Sequence, residues 1–153
     1  MVGTLQRALK VYLAGEIHSD WRAELATAVK RTGVRADLLS PVTDHSASDQ
    51  CGVRILGEEV SSFWRDHKGA GLNAIRTRML LRESDVVVVK FGEHYRQWNA
   101  AFDAGFASAI GKPIIVLHDE TLGHALKEVD SAALAVAATV EQVVEILRYV
   151  LSG

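Results

Sequence analysis

Cysteine is nearly absent. Cys51 stands alone among 153 residues, which removes any internal disulfide and any cysteine-based zinc cluster, and suits a reducing compartment. Proline is scarce too: Pro41 and Pro113 are the only two, and each follows an apolar segment that it is expected to end or separate from the next. No apolar run approaches the roughly 18 residues of a membrane span, so no membrane partner is expected. The opening MVGTLQRALK has no apolar leader stretch, and the cytoplasm is the expected compartment. Neither sign of charge prevails, since 17 Lys and Arg face 19 Asp and Glu for a formal net charge of -2. Without a basic field a nucleic-acid partner is not expected. The six histidines, at 18, 45, 67, 94, 118 and 124, never fall at the HxH or HxxxH spacings that place two imidazoles on one metal, so no metal site is expected.

Cofactor motifs are missing as well. A dinucleotide turn needs several glycines between its strand and helix, whereas the turn here reads AGEIHSDW, with one. No GxxxxGK[ST] phosphate loop occurs, and no cofactor is expected. A phosphorelay receiver would share the strand order and a Lys-Pro after a strand, here Lys112-Pro113, but it needs clustered acids at the ends of the first and third strands. Glu16 follows the first alone, and the third ends in Lys90-Phe91-Gly92.

At 48% hydrophobic and 24% charged, the chain has the balance of one globular domain spanning 1–153. Its centre is the stretch from Asp85 to Leu117. That stretch reads as a buried strand to Phe91, a polar turn, a helix from about Trp98 to Ile110, a Gly111-Lys112-Pro113 stop and a second buried strand over 114–117. Runs such as Val86-Val87-Val88-Val89, apolar on both faces, belong inside a parallel sheet covered by helices on each side.

The remaining chain extends the pattern. Leu9 to Gly15 is a first strand, followed by a helix over 20–31 with Ser19 as its cap, and 34–39 is a second strand. From Val42 to Gly52 the polar composition predicts a loop; a short helix is expected over 56–66, a break at Gly69-Ala70-Gly71, and a helix over 72–83. A fifth strand over 133–137 precedes a last helix capped by Thr139 with Gln142. The expected fold is therefore α/β, a flavodoxin-like three-layer doubly wound sheet of about five parallel strands in the order 2-1-3-4-5. Its switch point lies between the first and third strands. The candidate site is then Gly15 to Ser19, the loop after Pro41, and the turn and helix start from Gly92 to Asp103.

Asp103 is the acid of that helix start. It sits at the edge of an apolar line of Phe102, Phe106 and Ile110, inside a collar of Ala100, Ala101, Ala104, Gly105 and Ala107. The collar fits either room around the acid or close packing on the sheet.

The phrases YLAGEIHSDW, SDVVVVKF and QWNAAFDAGFA, with AIGKPIIVL, resemble the nucleoside 2-deoxyribosyltransferase-like superfamily, in particular its YtoQ branch, over nearly the whole chain. The resemblance implies that Asp103 is a carboxylate nucleophile, here an aspartate where the superfamily has glutamate, and that Tyr12 lies beside it. It places a strand-leading acid on Asp85. The superfamily's upstream acid falls on Gln97, its glycine on Asn99 and its threonine on Ala100.

The implied reaction is displacement at an anomeric carbon, in which Asp103 forms a glycosyl ester while a donor protonates the departing base; water or a second base then takes the sugar. Gln97 and Asn99 would hydrogen-bond sugar or base, and Asp44, His45, Glu16 or His18 would supply the proton. Trp98 in the turn could stack on a base, as could Trp21 or Trp64, although packing suits the last two better. Arg76 and Arg78 could clamp a 5'-phosphate. The implied partners are a small-molecule nucleoside or nucleotide and further copies of the chain. The rival reading is a nucleoside-binding module without chemistry.

Overall fold

The computed structural model describes residues 5–152; the opening residues Met1 to Thr4, part of the leader reading, lie outside it. Five strands make one parallel sheet in the order β2-β1-β3-β4-β5. They are β1 (Leu9–Gly15), β2 (Ala36–Leu39), β3 (Val86–Lys90), β4 (Ile114–Leu117) and β5 (Ala135–Ala137). The helices are α1 (Trp21–Thr32), α2 (His45–Leu56), α3 (Ser62–Glu83), α4 (Trp98–Ala109), α5 (Lys127–Ala132) and α6 (Val140–Ser152).

Strand alternation divides the core into two layers. Leu9, Val11, Leu13, Val86 and Val88 point to one face, where Trp21, Leu25, Val143 and Leu147 of α1 and α6 cover them. Tyr12, Ala14, Val87 and Val89 point to the other, under Leu81 of α3 and Ala100, Ala104 and Ala107 of α4. The central strands are buried on both faces, as parallel strands between helical layers must be. Each fully buried Val or Leu contributes roughly 1.5–3 kcal/mol of transfer free energy, so this double layer holds the sheet without a staple.

Several boundaries are as expected and several are not. Gln142 accepts from the amides of Ala138 at 2.7 Å and Thr139 at 3.3 Å, while Thr139 accepts from Gln142, so α6 begins with the expected box. Ser19 does not cap α1; its amide and hydroxyl bond to Glu16 instead. The stretch after Pro41 is not a loop throughout. Asp44 accepts from the amide of Ala47 at 2.9 Å and starts α2 at His45. Gly69-Ala70-Gly71 is no break either, because α3 runs unbroken through it. The reason is close packing of α2 on α3: a Cβ at Gly52 would stand 2.6 Å from Lys68 Cβ and 2.7 Å from the Gly69 amide. The glycines let two backbones meet.

In α4 the inward face is the small-residue collar. Ala100, Ala104 and Ala107 press on the sheet, whereas Phe102 is 65% exposed and Ile110 37%. Small side chains bring this helix close to β3, which fixes Asp103 relative to the strand end. Lys112 donates to the carbonyls of Arg82 and Ser84, both at 2.7 Å, so the residue that suggested a receiver closes the end of α3. Asp85, at the opposite edge of the sheet from the strand ends, pairs with Arg7 and accepts from the Lys10 amide at 2.9 Å.

Candidate active site

The site is built at the carboxyl ends of β1 and β3. Gly15 has φ 108, and a Cβ there would lie 2.0 Å from the carbonyl oxygen of Lys90, so only glycine lets β1 turn away against β3. The next residue locks the turn. The buried carboxylate of Glu16 accepts from the amides of His18 and Ser19 and from the Ser19 hydroxyl. Burial opposes its charge, but these donors outweigh burial and hold the carboxyl below its ordinary value. From the other side the Glu16 carbonyl accepts from Trp21 Nε1 at 2.8 Å and Arg22 Nη1 at 2.6 Å. Trp21 is thus a core residue with its N–H satisfied.

The second turn rests on the first. A Cβ on Gly92 would stand 2.8 Å from Glu16 Cγ, and the His18 ring lies 4.7 Å from that of Tyr95 at a tilt of 41°. Tyr95 has φ 64, a left-handed conformation that costs a residue with a side chain energy. Gln97 holds the turn in that shape: its Oε1 accepts from the Gly92 amide at 3.1 Å and its Nε2 donates to the His94 carbonyl at 2.8 Å. Its amide is therefore engaged within the loop. Trp98 opens α4, 72% exposed, with the Arg96 guanidinium 5.9 Å from its ring centre.

Asp103 lies one and a half turns into α4, on the side facing α3. The helix dipole acts within the first turn, so it gives this carboxylate little support. Among the described residues Asp103 is in no ion pair, and burial pushes its carboxyl from 3.8 up to about 6. Above that pH it is an ionised, poorly solvated and unneutralised carboxylate. Tyr12 stands beneath it, fully buried. Its Oη meets bonding geometry with no partner, although Thr77 lies near, and burial raises the phenol to about 12, with the Asp103 charge adding to the rise.

The opposite wall is α2 and α3. His45 Nε2 faces Asp49 Oδ2 at 3.3 Å across one turn of α2. Asn73 of α3 bonds Ser48 Oγ at 3.0 Å and the Gly69 carbonyl at 2.9 Å, fastening the two helices. Together these elements enclose a cleft of about 840 Å³, within the roughly 300–1,000 Å³ of small-molecule sites.

Gly15, Glu16 and His18 line the cleft on one side, His45 on another, and Gln97, Trp98, Asn99 and Asp103 on a third. Tyr12 lies below the floor and Asp44 is a helix cap outside the lining. Arg78 reaches the cleft beside Phe106, its guanidinium 5.7 Å from the ring centre; Arg76 and Trp64 do not line it. Asp49, Asn73 and Thr77 line it without having been singled out. The spacing of Asn73 and Thr77, four residues apart among apolar positions, was the available signal. Among the described residues no three of His, Cys, Asp and Glu gather as a metal set, and no helix is long and apolar enough to cross a membrane.

A five-stranded parallel sheet of this order, with a cleft at its switch point, makes this a flavodoxin-like α/β protein, a fold that 2-deoxyribosyltransferases share. Comparison with known proteins supports the assignment. The 2-deoxyribosyltransferase of Bacillus psychrosaccharolyticus shares the fold, with a TM-score of 0.52 and 14% identity over 88% of this chain and 89% of that one. A conserved protein from Enterococcus faecalis V583 superposes with a TM-score of 0.63, at 16% identity over 93% of this chain and 98% of that one. The family described as nucleoside 2-deoxyribosyltransferase YtoQ matches residues 12–151, and the chain belongs to it. Uncharacterized protein YtoQ of Bacillus subtilis (strain 168) is 40% identical over 139 residues, covering 91% of this chain and 94% of that protein.

Proposed function

We propose that this protein cleaves the N-glycosidic bond of a nucleoside or nucleotide, with Asp103 as the nucleophile. The observation that carries the reading is the half-buried carboxylate of Asp103, in no ion pair among the described residues, in the wall of a cleft large enough for a nucleoside. An Asp103 oxygen bonds to the anomeric carbon as the carbon–nitrogen bond breaks; the bonding pair leaves with the base, which takes up a proton. The glycosyl ester then yields its sugar to a second base or to water, and the carboxylate is regenerated. A second base makes the protein a deoxyribosyltransferase and water makes it an N-hydrolase.

Tyr12 suits the role of a positioning residue, since its orphaned hydroxyl can donate to the carboxylate once a ligand closes the site. Asn99 supplies an exposed amide for sugar or base, while Gln97 acts through the loop it holds. Trp98 offers an exposed ring for stacking. The reaction fits the cytoplasm. Self-association would cover Phe63 and Trp64, 65% and 51% exposed on α3, and a monomeric mass in light scattering would remove that part of the reading.

A second reading, a nucleoside-binding module without turnover, draws support from Gln97, which cannot act as an acid and is engaged by its own loop. The test is a chromatographic screen of ribo- and deoxyribonucleosides and their 5'-monophosphates, with and without a second free base. Release or exchange of base by the wild type and its loss in Asp103→Asn is the expected result. Thermal stabilisation by a nucleoside with no turnover by either protein would establish the binding module instead.

A further inference from the structure

Departure of a nucleobase leaves negative charge on a ring nitrogen, so displacement by Asp103 needs a proton donor on the base side. The loops supply few. Glu16 is held ionised by three donors, Asp44 caps α2, Gln97 has no acidic proton, and Tyr12 is raised to about 12 beneath the floor. Two imidazoles line the cleft, His18 and His45. The His18 ring leans on Tyr95, and the Glu16 carboxylate on which its charge acts is committed to the donors of its own turn. His45 differs.

We propose that His45 is the general acid for the leaving base, with Asp49 as its positioning residue; the assignment rests on the reading of Asp103 as nucleophile. His45 stands at the start of α2, whose backbone is pressed onto α3 at Gly52 and tied there by Asn73. Asp49, four residues on, lies 3.3 Å from Nε2, and both residues line the cleft. A carboxylate beside one ring nitrogen of an imidazole favours the orientation that turns the other nitrogen away from it. Both residues line the wall that α2 contributes, while Asp103 lines the wall of α4, so a nucleoside between them presents its sugar to one and its base to the other.

The step balances. As Asp103 bonds to the anomeric carbon, the carbon–nitrogen pair passes to the base, and the proton on His45 Nδ1 moves to a ring nitrogen, leaving neutral imidazole. In the second half that imidazole takes the proton of the incoming base or water while the ester bond breaks, which restores the imidazolium and the carboxylate.

The role is tested by the leaving group. A 7-methylguanine base is cationic in the nucleoside and departs neutral without protonation, whereas guanine needs the proton. Base release is measured from guanosine, 7-methylguanosine and their 2'-deoxy counterparts with wild type, His45→Gln, Asp49→Asn, His18→Gln and Asp103→Asn. His45→Gln should lose roughly 10²- to 10⁴-fold on the unmethylated nucleosides yet stay within about tenfold of wild type on the methylated ones. Asp49→Asn should show the same selectivity more weakly, and Asp103→Asn should lose both. Equal loss on both substrates in His45→Gln, or the selective loss appearing in His18→Gln, overturns the assignment and leaves Asp103 standing. No release or exchange by wild type from any nucleoside or 5'-monophosphate, with or without a second base, overturns the nucleophile reading and this assignment with it. His45 is exposed, so its replacement should leave the melting curve in place, and Asp49→Asn provides an independent variant of the same pair.

Discussion

Replacing Asp103 with asparagine should stabilise the protein while removing the proposed nucleophile. The folded carboxyl titrates near 6 against 3.8 for an unburied aspartate, because burial penalises the charged form. Below pH 3.8 the group is protonated in both folded and unfolded chains and contributes nothing. As pH rises from there to about 6, the unfolded chain gives up its proton before the folded one does, so stability falls; above about 6 the full cost is present. At about 1.36 kcal/mol per pH unit, the difference amounts to roughly 3 kcal/mol, a ceiling because water still reaches part of the side chain. Asparagine has nearly the shape of the protonated acid and no charge to bury. Urea unfolding of the two proteins from pH 4 to 8 should show a gap that opens with rising pH in favour of Asp103→Asn and levels off near pH 7. In melting temperature that gap is up to roughly 6–12 °C for a chain of this size. A variant less stable than wild type at pH 7.5, or a gap independent of pH, would refute the premise that this carboxylate is buried without a partner.

Gly52→Ala should destabilise by about 1–2 kcal/mol, since a Cβ 2.6 Å from Lys68 Cβ and 2.7 Å from the Gly69 amide forces α2 off α3, which outweighs the better helix propensity of alanine. Gly71→Ala, in the same α3 with nothing within 4 Å of the added atom, should instead gain about 0.5–1 kcal/mol by denaturant unfolding; equal signs for the two would contradict the helix contact described here. Arg7→Ala should reduce stability at neutral pH but not near pH 2. The Arg7 hydrogen bonds hold Asp85 at about 2, a depressed value whose benefit is present above 3.8 and lost as pH falls through 2, and acid titration of unfolding in both proteins measures it.

Most of the sheet is legible in the sequence because two-sided burial writes itself as continuous runs. Val86-Val87-Val88-Val89 and Ile114-Ile115-Val116-Leu117 can be placed without knowing what covers them, and the right-handed crossover then orders the strands. Helices that cover little leave weaker marks. In α2 the only buried residue is Gly52, and α3 buries Gly69 and Leu81 alone, so α2 shows no apolar period and α3 shows one only over its second half, 72–83. Their polar run and paired glycines read as loop and break, whereas the glycines serve a backbone contact 17 positions apart in the chain, from Gly52 to Gly69. On the α3 wall Arg78 was legible, whereas Asn73 and Thr77, inside the expected helix over 72–83, escaped because the switch-point rule looks only at strand-end turns. The wall formed by Glu16, His18 and Trp98 did not, since the switch-point rule places any turn after β1 and β3 there.

The charge on Asp103 also separates the two readings of the site. An acid used for structure has partners: Asp85 has Arg7 and the Lys10 amide, Asp44 caps α2, and Glu16 takes three donors from its own turn. Each of these contributes to the fold in proportion to the bonds it accepts. Asp103 is in no ion pair among the described residues and loses solvation, so at neutral pH it costs stability in a cleft where asparagine could hydrogen-bond a sugar hydroxyl without that cost. A module that only binds nucleosides recovers that cost only through the stronger hydrogen bonds of a charged acceptor. A displacement at an anomeric carbon gains from the cost itself, because a poorly solvated carboxylate is a stronger nucleophile toward the oxocarbenium-like carbon and is neutralised as the ester forms, so the penalty present in the ground state is relieved along the reaction.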